Sequence, residues 1–130
     1  MHEKAYVDWH KLKATIHKEK QRPHFHEREI WFCSLGANVG YEQDGRGDNY
    51  LRPVVILRKF NNEVCIVVPL TKNQKMGIHY FNFMYHEAII STAILSQVRL
   101  VDAKRLDYKS GNISVVDFQL LKQKLNQLIA

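Results

Sequence analysis

Two cysteines, three prolines, no apolar run of bilayer length and fewer acids than bases are the scarcities that first bound this chain of 130 residues. Cys33 and Cys65 each sit inside an apolar run and make no metal-type spacing, which fits buried thiols in a reducing, cytoplasmic setting. No membrane span is expected, because no apolar stretch approaches the roughly 20 residues that a bilayer demands. Behind Met1 the chain reads His2, Glu3, Lys4 with no apolar core, which argues against a secretory signal. No repeat or low-complexity tract divides it, and 45% hydrophobic with 25% charged residues describes one soluble globular domain rather than two. A chain of this length buries about two-thirds of its unfolded surface and folds without disulfide or metal.

The shortage of acids leaves 13 Asp and Glu against 19 Lys and Arg, a formal charge of +6. Basic domains tend to meet polyanions, although charge alone does not decide the matter. Half of the excess is local. Residues 1–28 hold seven basic and four acidic side chains and five of the seven histidines.

Trp9, Leu12 and Ile16 share one helical face among Lys11, Lys13, Lys18 and Lys20, so an amphipathic helix is expected over about 5–20. Pro23 stops it, and His24 to Arg28 reads as a linker; residues 1–27 are thus expected as a helical extension and linker, and 28–130 as the domain proper. Strand-like runs follow at 29–35, 52–57, 64–70, 78–85 and 93–100. Between the first two lies a polar loop, 36–50, which holds four of the six glycines; loops this long are usually functional or disordered. Near the C-terminus Ser114 and Asp117 make a capping-box variant, with Ile113 and Phe118 at the staple positions. Phe118, Leu121, Leu125 and Leu128 then predict a helix packed on the sheet.

Asn61-Asn62 suits a tight hairpin turn, and that register sets Arg52 opposite Thr71 on one sheet face. Pro53 biases Arg52 toward an extended backbone at a strand's start. A guanidinium fork and a hydroxyl at an open strand end could grip a phosphate; an ordinary solvated edge pair is the competing reading.

Four segments here resemble the PemK/MazF family of toxin endoribonucleases: Gly40 to Gly45 with Glu42 and Gln43, Arg52 to Leu57, Val67 to Thr71, and Ser91 to Arg99 with Gln97. Asp117 to Leu125 is similar to that family's closing helix, and the likeness spans about residues 28–129. It implies a mainly β fold, a small SH3-like barrel with a C-terminal helix to which this chain adds its N-terminal helix. It implies a cytoplasmic homodimer, restrained by an antitoxin protein, that cuts single-stranded RNA in a groove between subunits with no metal or other cofactor. By the resemblance, Arg52 and Thr71 match the catalytic arginine and threonine, Glu42 and Gln43 the gating loop, and Gln97 a glutamine near the active site.

With the substrate's own 2′-hydroxyl as nucleophile, the protein supplies a proton acceptor, an oxyanion stabiliser and a proton donor. Arg52 does not readily lose a proton and is assigned to the phosphate charge. Thr71 is expected to hydrogen-bond a phosphate oxygen, and Glu42 is the available base or a positioning group. Arg46, Lys72 and Arg99 are candidate phosphate contacts beside Gln43 and Gln97, or else ordinary solvated charges. The loop between Gln43 and Arg52 is longer than the family pattern, Lys72 stands where a small polar residue is common, and residues 1–27 have no counterpart in compact members.

Four rival readings concern other chemistry. His24, His26 and Glu27 are closer to a solvated basic linker than to a metal site. Trp31 or Phe32 could stack bases, although one of them should face the core, and Tyr41 and Tyr50 are better placed for stacking. A non-catalytic module on the same scaffold, like the gyrase-binding CcdB toxins, is the alternative function, but protein binding would not require both Arg52 and Thr71. A DNA-binding regulator is disfavoured because no helix-turn-helix pattern is present.

Overall fold

A computed structural model describes residues 21–35, 51–86 and 89–130. Within them the chain forms seven strands: β1 (Glu29–Ser34), β2 (Leu51–Lys59), β3 (Val64–Thr71), β4 (Tyr80–His86), β5 (Ile89–Ile94), β6 (Arg99–Asp102) and β7 (Leu106–Asn112). One helix, α1 (Val115–Ile129), closes the chain. The pairings are antiparallel in the order β4-β5-β3-β2-β1-β7, with β6 on β3. The sheet rolls up, because its outer strands meet: Tyr85 Oη of β4 lies 3.4 Å from Ser110 Oγ of β7. A Cβ at Gly111 would come within 3.0 Å of Tyr85 Cδ2, so glycine is what lets the ring close over the strand. The fold is therefore mainly β with a C-terminal helix, as expected; the helix expected over 5–20 lies outside the described residues.

Strand alternation divides the interior in two. Val54 and Ile56 of β2 join Cys65 and Val67 of β3 in one core, with Trp31 and Cys33. Val55 and Leu57 join Val68 and Leu70 in the other, which α1 covers with Phe118 and Leu121. β3 is buried on both faces, which is why it reads as an unbroken apolar run. Ser114 Oγ accepts from Asp117 N at 3.1 Å, and Ile113 and Phe118 are both buried in the second core, so cap and staple form as the sequence predicts.

The hairpin between β2 and β3 keeps the expected register at its far end, Val54↔Pro69 to Ile56↔Val67, but turns differently. Asn61 Oδ1 accepts from both Glu63 N (2.7 Å) and Val64 N (3.0 Å), making a wider loop than a two-residue turn. An irregularity between Ile56 and Arg58 absorbs the one-residue shift that this loop introduces. The strand expected over 93–100 is in fact two, β5 and β6, parted by a 3-10 turn at Leu95–Gln97. Ile78, expected to begin β4, is exposed ahead of it.

His24 to Arg28 is more than a linker. Phe25 is fully buried in the first core, a contribution of about 1.5–3 kcal/mol. Lys59 Nζ lies 4.7 Å from its ring centroid and donates to its carbonyl at 2.9 Å. Arg28 has φ 75°, a left-handed conformation that a side chain rarely adopts. Its N–H donates to Ile56 O (3.0 Å) and its carbonyl accepts from Ile113 N (2.9 Å), so the barrel holds it there.

Candidate functional site

Arg52 and Thr71 are brought to the same end of the same sheet face. Arg52 shares its face of β2 with Val54; Val54 opposes Pro69, which shares its face of β3 with Thr71. Neither is on open surface, each being 7% exposed. Arg52 Nη2 donates to Leu70 O at 3.0 Å, so the guanidinium rests on the carbonyl that immediately precedes Thr71. Past Pro69 the strand leaves β2: Leu70 and Thr71 pair instead with Ala93 and Thr92 of β5. Proline has no N–H to offer a ladder, which suits it to this point of exchange. Thr71 Oγ1 accepts from Asn73 N at 3.2 Å, an orientation that leaves its hydroxyl proton available for donation.

Lys72 follows on the exposed surface. Arg99 opens β6 opposite Val67 and shares the Arg52 face, partly buried. Gln97 ends the 3-10 turn and is also partly buried. Glu42, Gln43, Arg46, Tyr41 and Tyr50 lie outside the described residues. Trp31 is core, whereas Phe32 faces the opposite way and stacks on the half-exposed Tyr108, centroids 4.7 Å apart. His24 and His26 are exposed, and among the described residues no cluster of His, Cys, Asp and Glu is placed to hold a metal.

Arg105 is a neighbour the sequence did not single out. It precedes Leu106, the partner of Cys33, which in turn opposes Arg52; its Nη1 donates to Ser34 O at 3.2 Å. Burial pulls the Arg105 pKa down and Arg99 adds to this, while Cys33 and Asp102 oppose. A basic residue beside Lys104 reads as solvated, and only the leucine after it hints at an inward turn.

Two carboxylates brace the fold at the other end of these strands, Asp102 opposite Val64 at the start of β3 and Glu29 at the start of β1. Burial works against ionising Asp102, but the bond from Arg22 (Nη2 to Oδ2, 3.0 Å), Lys104 N and the nearby charges hold its pKa below the ordinary value. Glu29 behaves alike: against burial, Trp31 Nε1, His26 N and Lys109 keep it low. Burial, with Asp102 nearby, raises the Cys65 thiol to about 11.

Solved structures share this architecture. MazF from Deinococcus radiodurans superposes with a TM-score of 0.63 at 14% identity, over 84% of this chain and 97% of that one. A mycobacterial endoribonuclease solved with its cognate antitoxin gives 0.62 at 11%, over 82% and 95%. The Mycobacterium tuberculosis toxin MazF-mt6 gives 0.61 at 14%, over 78% and 96%. At these identities the likeness is one of fold. No curated protein matches the chain in sequence. The family model described as PemK-like, MazF-like toxin of type II toxin-antitoxin system matches residues 26–129, and the chain belongs to that family.

Proposed function

We infer that the protein is an endoribonuclease toxin that cuts single-stranded RNA without a metal. The carrying observation is the Arg52 guanidinium held on the Leu70 carbonyl beside the Thr71 hydroxyl, at a strand end. In this reading the substrate 2′-oxygen attacks the adjacent phosphorus and the P–O5′ bond breaks. The products are a 2′,3′-cyclic phosphate and a 5′-hydroxyl. The 2′ proton passes to a base, for which Glu42 is the available carboxylate, and the departing O5′ takes a proton from Arg52 or from solvent water. Arg52 stabilises the charge on the phosphate, and Thr71 donates to a phosphate oxygen. Gln43, Arg46, Lys72, Gln97 and Arg99 contact the RNA, largely to position it. The protein acts in the cytoplasm as a homodimer under the control of a cognate antitoxin; mycobacterial and Deinococcus relatives solved with antitoxins support that partner class.

The test incubates the purified chain with a mixed RNA in EDTA beside Arg52→Ala and Thr71→Ala. Cleavage leaving 2′,3′-cyclic phosphate ends, lost in both variants, is the expected result. A well-folded wild type that leaves diverse RNA intact overturns the reading.

A further inference from the structure

We propose that Asn82 and Thr92 are positioning residues for Thr71, acting through the segment 72–79 that follows it. The proposal rests on the nuclease reading above and extends its machinery to two residues on neighbouring strands. Thr71, Thr92 and Asn82 form one row across three strands, because Thr71 opposes Thr92 and Thr92 opposes Asn82. Directly opposed residues share a face, so all three side chains lie on the side that also carries Arg52.

The polar atoms in this row admit one arrangement. Lys75 O can only accept, so the Asn82 amide must turn its Nδ2 toward it, at 3.2 Å. Asn82 Oδ1 then faces Thr92 Oγ1, and the Thr92 hydroxyl donates to it. Thr92 is fully buried, so its hydroxyl is a fixed donor that locks the amide in this sense. Nδ2 also approaches Met76 Sδ at 3.6 Å. One amide therefore ties β4 to the middle of the otherwise exposed segment 72–79, and Lys124 Nζ of α1 holds its far end through Gly77 O at 3.1 Å.

The near end of this segment is what touches the reaction. Asn73 N donates to Thr71 Oγ1, and that bond decides where the hydroxyl proton points. Anchoring Lys75 and Met76 keeps Asn73 in place and presents Lys72 beside the strand end. Released, the segment would let the hydroxyl turn away from the phosphate without loss of either core.

The test compares Asn82→Ala, Asn82→Asp, Thr92→Val and Thr92→Ser in the full chain, reading kcat, KM and amide exchange over 72–79. Asp keeps the size of Asn but presents an acceptor to Lys75 O, and Ser keeps the hydroxyl of Thr. Asn82→Ala, Asn82→Asp and Thr92→Val are expected to lower kcat about tenfold to a hundredfold, as small misplacements of reacting groups do. KM should change less than about threefold, exchange at Asn73 and its neighbours should accelerate, and Thr92→Ser should stay near wild type. Folded variants with unchanged kcat and unchanged exchange overturn the proposal, as does Thr92→Ser behaving like Thr92→Val. If wild type cuts no RNA, the nuclease reading fails by itself; the exchange rates still show whether Asn82 holds the segment, and normal protection in Asn82→Ala would overturn that too.

Discussion

Arg52 and Leu70 are joined by a hydrogen bond from a side chain on β2 to a main-chain carbonyl on β3, 3.0 Å long and buried, one residue short of Thr71. The bond fixes one edge of the guanidinium and so the direction of the rest. A lysine offers a single ammonium on a flexible stem and cannot both hold that carbonyl and present a planar fork. Arg52→Lys is therefore expected to lower kcat about 100- to 1,000-fold, the usual cost of removing an oriented donor to developing charge. Single-turnover cleavage measures this, with a thermal melt to verify that the variant folds.

Acid should loosen the fold through two carboxylates. Asp102 and Glu29 both have folded pKa values below their ordinary ones. Stability from such groups is fully present above the unfolded carboxylate range and is lost as pH falls through the folded values. Melting temperature is thus expected to be flat near neutrality and to fall below about pH 4. Asp102→Asn, which can still accept from Lys104 N, should fall less steeply in the same series.

Base should act through Cys65. Its pKa is raised from 9.0 to about 11, so its neutral thiol supports the fold fully below the unfolded value and progressively less as pH rises through that window. Cys65→Ala is expected to start less stable, having lost buried volume, but to show a shallower decline above pH 9 in urea titrations.

RNA affinity should fall with salt according to the phosphates contacted rather than the formal +6. Lys72→Ala and Arg99→Ala are each expected to reduce the slope of log K against log salt by about 0.7, the increment for one phosphate of a single strand. Deleting residues 1–20, which spares the Arg22 bond to Asp102, assigns the slope to the barrel if it is unchanged. Titration of a labelled, non-cleavable RNA at several salt concentrations reads both.

The sequence conveyed most where local chemistry and burial agree. The Ser114 cap and the stripe from Phe118 to Leu128 carry helix start, period and buried face together. The shared face of Arg52 and Thr71 was also legible, although for a reason only partly right: the loop at Asn61 is wider than assumed, and the irregularity after Ile56 cancels the error. Nothing in a side-chain pattern announces such a bulge. β7 was silent because, apart from Leu106, it is polar or half-exposed. Phe25 hid between two histidines in a stretch that composition marks as linker. Arg105 and Asn82 were invisible for a common cause, since each matters through a main-chain carbonyl, and backbone partners leave no mark in residue type.

β3 belongs to both halves of the molecule: it pairs with β2 and β6 along most of its length and with β5 at its end, and each of its faces lines a different core. Neither half can therefore melt and leave the other whole. The protein should behave as a single cooperative unit, with no half-folded species that retains a strand end for Thr71. Whatever protects or destroys this one strand thereby sets the lifetime of the entire molecule in the cell.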